Sequence, residues 1–523
     1  MRSALLPLTL LLVAGGCSAD SAYMTKGEDA AYDDSGGGAS YDTGASGEDG
    51  DDEPGDTYAP EADDDYLKLA PAATTAYVFV ANPSRDTVTR VSVPSLEVIT
   101  AEVGTDPEAV ATSSDYTRAV TFNAGSDSVS IIDAETLAVT NVDIRPNMNT
   151  LEMSPNATWA LCYHDESGEE YDSDGGVSSF NEVSLVNLET ATAYVKVVGF
   201  NPRDVKFTAD GDKAIVVSDA YLGILDLTNP DADPVRIRLS EDTVDPPEAE
   251  EVLVVPDGSY AFVRQFGVDS LLVVDLSTDE VAPLTVGDNP TDLDITPDET
   301  HAVAVARGAN EVWVYDLADV FGTPKVVPMP TGEILGSVLM SPDNTRALLY
   351  STASGVSHVA SWDLATDDIE VHGLVKPVSS VSISPDGGTA LVFHDKDNGT
   401  DVDSSSVFYN HYGLTLVDLT DFFTNPLLLP AEPTGFADDD EGNIGYFIMD
   451  GEPYLEVLDF HDLYYEEVEL ESDPVYVGVL PESDLAYVNQ DHALGRMSFY
   501  DPTTTELQTI TGFELNAAIE HEE

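Results

Sequence analysis

The stretch LMSPDNTRALLYS (339–351), continued by SHVASWDLATDDIEVHGL (357–374), decides the fold. Apolar and polar residues alternate over runs of four to six, the period of a half-buried strand, and no 3.6-residue period is sustained. The run reads as four short strands, A to D. Strand A ends in Ser-Pro-Asp, where Pro presets φ for a tight turn and the following Asp can bond the backbone. Strand B follows that turn. Strand C ends in Asp-Leu-x-Thr, and D leads into a Gly- or Pro-containing loop before the next A.

Working outward, the B strand recurs as AYVFVAN (76–82), AVTFN (119–123), ALCYH (160–164), AIVVS (214–218), AFVRQ (261–265), AVAVA (302–306), ALLYS (347–351), ALVFH (390–394), GYFIM (445–449) and AYVNQ (486–490). The spacing of about forty to fifty-five residues is that of one four-stranded propeller blade. A lone blade cannot bury both faces of its sheet, whereas a ring of blades can. Pro falls at one point of seven A–B turns: Pro71, Pro155, Pro256, Pro297, Pro342, Pro385 and Pro481. The acids and amide that end strand C (Asp133, Asn187, Asp226, Asp275, Asp316, Asp363, Asp418, Asp459 and Asp501) are expected to form Asx turns, not to catalyse.

AYVFVANPSRDTVTRVSV (76–93), EVGTDPEAVATSSD (102–115) and SDSVSIIDAET (126–136) resemble the YVTN-type β-propeller repeats of secreted bacterial proteins. The resemblance covers most of residues 66–513 and is strongest in the first two units. It implies the fold and says little of function, because this scaffold hosts binders, partner platforms and unrelated enzymes.

A second period lies above the first. Units 3 and 8 carry long B–C insertions opening with His164-Asp165 and His394-Asp395. Units 4 and 9 share a short link ending in Tyr221-Leu222 and Tyr454-Leu455, and units 5 and 10 end strand B in Gln265 and Gln490. A five-unit block, about 66–288, is therefore duplicated as 289–513. Duplication permits one ring of ten four-stranded blades or two five-bladed propellers in tandem. DITPDETHAVAVA (294–306) reads as an ordinary A–B hairpin with no linker between halves, which favours the all-β single ring. The first A strand is expected at Tyr66–Leu69, or at Leu515–Ile519 within the C-terminal stretch 514–523.

The start, MRSALLPLTLLLVAGGCS, has a basic Arg2, an apolar run too short for a stable span, then small residues before a cysteine. It resembles a bacterial lipoprotein signal, with Ala14 where Leu or Val is usual. The resemblance implies cleavage of residues 1–16, acylation of Cys17, and, with Ser18 rather than Asp next, an outer-membrane address. An ordinary secretory signal with a chance cysteine is the plainer alternative. Residues 17–65 are rich in Asp, Gly and Ser, and from 18 to 66 sixteen acids face one base, Lys26. Such a segment reads as a self-repelling tether.

The whole chain of 523 residues has 98 Asp+Glu against 20 Lys+Arg, a net charge of −78. That field repels phosphate backbones and anionic headgroups, so nucleic-acid binding and electrostatic membrane docking are excluded. It suits salty surroundings, where stability is expected to rise with salt or Ca²⁺. Two cysteines leave no disulfide framework.

The insertions are the loops that depart from the repeat. In HDKDNGTDVD (394–403), Asp395, Asp397, Asn398, Asp401 and Asp403 offer oxygens at a spacing that can wrap Ca²⁺, although the closing Glu of an EF-hand is missing. In HDESGEEYDSDGG (164–176), Asp165, Glu169, Asp172 and Asp174 are weaker candidates. A solvated acidic loop is the alternative in both. Arg145, Arg203 and Lys376 fall in D–A connections, which in propellers ring the channel mouth; they could hold an anion or make local salt bridges. No G-x-S-x-G, H-E-x-x-H, P-loop or C-x-x-C-H motif is present. The favoured reading is a lipid-tethered extracytoplasmic scaffold, not an enzyme, that binds a cell-envelope protein or glycan. The alternative is a metal-dependent hydrolase sited at the channel, like the lactonases of this repeat family.

Overall fold

The computed structural model describes residues 72–512 except 166–180, 241–246, 248, 266, 354, 356, 401, 440–442 and 493. Forty strands form ten antiparallel four-stranded sheets, each in sequential A-B-C-D order. Blade 1 comprises Ala72–Ala73, Tyr77–Asn82, Thr87–Ser92 and Val98–Glu102. Blades 2 to 10 span 107–143, 150–197, 202–238, 249–285, 290–328, 337–373, 380–429, 433–469 and 474–511.

The alternation along strand B places successive side chains against different neighbours. Val78 and Val80 pack toward blade 10, whereas Phe79, between them, packs against Ala119 and Ile132 of blade 2. The same split repeats around the molecule, so ten apolar clusters form and each is shared by two adjacent blades. Fully burying one such Val or Phe is worth roughly 1.5–3 kcal/mol, and no blade collects that alone.

Two of these clusters decide the architecture. Phe262, Leu271 and Val273 of blade 5 meet Leu293, Ala304 and Tyr315 of blade 6, and Val78 and Val91 of blade 1 meet Tyr487, Met497 and Phe499 of blade 10. Two five-bladed rings would instead need blade 1 on blade 5 and blade 6 on blade 10. The protein is one closed ten-bladed β-propeller. Neighbouring A strands touch one another and D strands such as Tyr464–Glu469 are largely exposed, so A lines the axis and D the rim.

The first A strand is Ala72–Ala73, paired with Val78 and Phe79. Pro71 therefore precedes this strand instead of sitting in its turn, where Thr74 Oγ1 accepts the amides of Ala76 and Tyr77. Both expected closing segments, Tyr66–Leu69 and Leu515–Ile519, lie outside the described residues, as does everything before residue 72. The C-strand acids behave as turn formers: Asp133 Oδ1 accepts the Thr136 amide at 2.8 Å, and Asp275, Asp363, Asp459 and Asp501 do the same in their blades. The backbone and hydroxyl bonds from Thr136 hold the Asp133 carboxyl below the usual range.

The A–B turn carries a further device. Ser113, Thr208, Thr296, Ser341 and Ser384 each donate to the acid two residues on. The same hydroxyls of Ser113, Thr208, Thr296 and Ser384 accept the amide five residues on, which clamps the turn from inside.

Candidate functional site

An up-down meander sends the B–C and D–A connections to one face of the ring and the A–B and C–D turns to the other. Both insertions are B–C connections. Blades 3 and 8 are five apart in a ring of ten, so the insertions rise from opposite sides of one face.

The insertion of blade 8 folds around a lysine. Lys376, in the connection from blade 7, is fully buried, and its Nζ donates to the carbonyls of His411 (2.9 Å) and Phe408 (3.3 Å), with Asn398 Oδ1 at 3.5 Å. Burial lowers the Lys376 pKa, and Asp395 and Asp397 oppose that shift. The loop acids serve turns. Asp395 accepts the Asp397 amide, Asp397 accepts that of Gly399, and Asp403 accepts both the amide and hydroxyl of Ser405. Asn398 also accepts the Asn410 amide at 2.7 Å. Thus an internal ammonium lies beside the oxygens proposed for Ca²⁺, and among the described residues no three His, Cys, Asp or Glu converge as a metal site. Asp401 lies outside the described residues.

In blade 3, Asp165 is pinned by backbone bonds to the Asn149 side chain, 2.7 and 2.8 Å. Glu169, Asp172 and Asp174 lie outside the described residues. His394 is a strand-end tie: Nδ1 donates to Pro377 O and Nε2 accepts from Thr415 Oγ1, both at 2.7 Å. Burial pushes its pKa down to about 4, so it is neutral and has no nitrogen left for a metal. Gln265 and Gln490 do the same work in blades 5 and 10, bonding Pro247 O and the Ser472 amide.

Each of the three bases has a partner close at hand. Arg145 pairs with Glu182 at 2.6 Å. Arg203 lies within strand A of blade 4 rather than in a connection, and pairs with Asp219 at 2.7 Å. Lys376 is the loop anchor described above. Local pairing is what the geometry favours.

Sequence reading missed the acids of the A strands. Glu251 of blade 5 accepts the Leu293 amide of blade 6 (3.2 Å), and Asp292 and Asp294 accept the Val338 and Met340 amides of blade 7 (2.6 and 3.2 Å). They stitch neighbouring inner strands and satisfy amides at the channel edge. Burial raises Asp294 to about 6. Acids at alternate positions of TDLDI (291–295) are the signal that marked them.

No family model matches the chain, and no curated protein matches it in sequence. Solved structures do resemble it. One is a dihydro-heme d1 dehydrogenase, NirN, in complex with DHE, 15% identical over 68% of this chain and 73% of that one, with a TM-score of 0.44. A eukaryotic initiation factor is 12% identical over 76% of this chain and 96% of its own, with a TM-score of 0.50. The β-propeller domain of Cps50 (Swd1) from Myceliophteria thermophila is 12% identical over 55% and 92%, with a TM-score of 0.33. At such identities the likeness is one of fold.

Proposed function

We propose that this protein is a bacterial lipoprotein of the YVTN-repeat type, held at the outer membrane through Cys17, whose propeller serves as a binding scaffold in the cell envelope. The acidic stretch 17–65 is its spacer, and the face bearing the B–C insertions meets the partner, an envelope protein or glycan. The supporting observation is the placement of the insertions. Two loops that depart from an otherwise regular repeat stand on opposite sides of one face. Loops on a rigid frame are where such scaffolds carry recognition.

The test is affinity capture from native envelopes, with and without chelator. A variant in which 164–181 and 395–411 are each replaced by the short Asp219-Ala220 link of blade 4, with Lys376→Ala because that lysine loses its loop partners, is compared with the parent. The expected result is loss of the captured partner with the melting temperature retained. Unchanged capture by the folded variant overturns the reading. Metabolic labelling with a fatty acid should mark the parent and not Cys17→Ser.

A further inference from the structure

At several blade junctions a polar side chain bolts one blade to the next through the first residue after strand C. Arg90 Nη1 donates to Ala134 O (2.9 Å) and Glu135 O (2.6 Å) between blades 1 and 2. Lys213 Nζ donates to Leu276 O between blades 4 and 5, and Arg346 Nη1 to Leu419 O between blades 7 and 8. Thr389 Oγ1 reaches Phe460 O at 3.2 Å between blades 8 and 9. Lys213, Arg346 and Thr389 all open strand B of their blade.

Among the described residues the junction of blades 6 and 7, like several others, shows no such bolt. His301 opens strand B of blade 6, but its Nδ1 lies 2.7 Å from Thr300 Oγ1. That hydroxyl donates to Asp298, so Nδ1 carries the proton and Nε2 is left as an acceptor. The place of Arg90 is taken by Val314: Tyr77 pairs with Ser92 as His301 pairs with Asp316, and Arg90 and Val314 each stand two residues before the strand end. A cavity of about 590 Å³ opens at this junction, lined by His301, Val314, Asn344, Trp362, Asp363 and Leu364 together with the acid Asp298 and the bases Lys325 and Arg346. Leu364 is the counterpart of Leu276 and Leu419, whose carbonyls receive the bolts elsewhere. Asn344 Oδ1 is a second acceptor, buried without a partner. The two bases of the lining point to partners of their own, Arg346 to Leu419 O and Lys325 to Asp367 at 2.6 Å, although Arg346 also acts on the Asp363 carboxylate.

We propose that this cleft takes an alkyl guanidinium or ammonium group from outside the chain, seated where Arg90 sits at the equivalent junction of the duplicated half. Its N–H groups meet Leu364 O, Asn344 Oδ1 and His301 Nε2. The carboxylates of Asp298 and Asp363 balance its charge, and the net charge of −78 draws it in. The cleft is on the A–B/C–D face, away from the insertions, so this site stands independently of the scaffold reading.

Calorimetric titration with N-acetylarginine amide tests it, with N-acetylcitrulline amide as the uncharged control of like shape. The arginine compound should bind at least tenfold tighter. Val314→Arg rebuilds the bolt of blade 1 and His301→Lys that of blade 4. Each changes the charge of a strongly acidic protein by about one and should weaken binding at least tenfold with the fold intact. The peptide acetyl-Gly-Arg-Gly-amide separates the sources: tighter binding than the single residue assigns the group to a partner polypeptide, and equal binding assigns a free small cation. Undiminished binding by whichever variant melts like the parent shows diffuse attraction to an acidic surface and overturns the site, as does equal affinity for citrulline.

Discussion

Glu456, in strand C of blade 9, is fully buried, and neither carboxylate oxygen has a hydrogen-bond partner. Burial, with Glu467 and Glu452 nearby, pushes its pKa up to about 8. The folded protein therefore keeps this proton up to about pH 8, while the unfolded chain releases it near the ordinary value of 4.5. Its stabilising protonation is fully present below pH 4.5 and lost as pH rises to 8, with a limiting slope of about 1.4 kcal/mol per pH unit. Glu456→Gln should remove that slope, so urea midpoints of variant and parent diverge between pH 5 and 8, the variant being the more stable at pH 8. His394 has the opposite sign. Its folded pKa of about 4 lies below the ordinary 6.5, so its contribution is present above pH 6.5 and lost as pH falls toward 4. His394→Ala leaves Pro377 O and Thr415 without their partner and should cost about 1–3 kcal/mol. His394→Gln, the residue used at this position in blades 5 and 10, should recover much of that and flatten the acid limb of the stability curve.

Among the elements, the A–B turn shows what a sequence reveals and what it hides. Ser-Pro-Asp was legible because Pro and Asp have local turn chemistry. The residue after the acid or amide was not, although it sits in the left-handed region in turn after turn: Tyr116 (φ 57°), Ala157 (57°), Gly211 (69°), Gly258 (69°), Glu299 (57°), Asn344 (56°) and Gly387 (73°). Glycine marks some of these positions and ordinary residues hold the rest, so no composition signal is shared. What all seven turns share is the bond from this residue's amide to the carbonyl three residues before; the hydroxyl clamp is not required, since Val255 stands in its place before Gly258. Glu299→Gly should thus relieve strain and raise stability by about 0.5–1 kcal/mol, read as a higher midpoint in chemical denaturation. The candidate site was less legible for a related reason. Acid spacing in 394–403 suggested a cation from solution. The side chain that organises this loop, Lys376, comes from the connection that leads into blade 8, some twenty residues before the loop, and such a contact leaves no trace in the loop's own sequence. The empty junction at Val314 is hidden in the same way, because only its counterpart Arg90, some 220 residues earlier, shows what is missing.

For the molecule as a whole, the duplicated halves make a sharp prediction. Residues 290–511 form blades 6 to 10 and, cut from the rest, carry two bare faces, one that belongs on blade 5 and one that belongs on blade 1. Each face is an apolar sheet surface centred on residues such as Leu293 and Ala304, or Tyr487 and Met497, and neither is the natural mate of the other. The half 66–288 has the complementary pair. Expressed alone, each half should therefore self-associate or aggregate, since a face of that kind does not stay exposed to water. Refolded together, the halves should yield a one-to-one complex with the size and melting profile of the intact chain. The mixture should form best in high salt, because both partners are strongly acidic and screening shortens their repulsion to about 3 Å at 1 M. Size-exclusion chromatography with light scattering reads the outcome. Two soluble monomeric halves, each folded and indifferent to the other, would mean that each closes on itself, and the ten-membered ring would then be wrong.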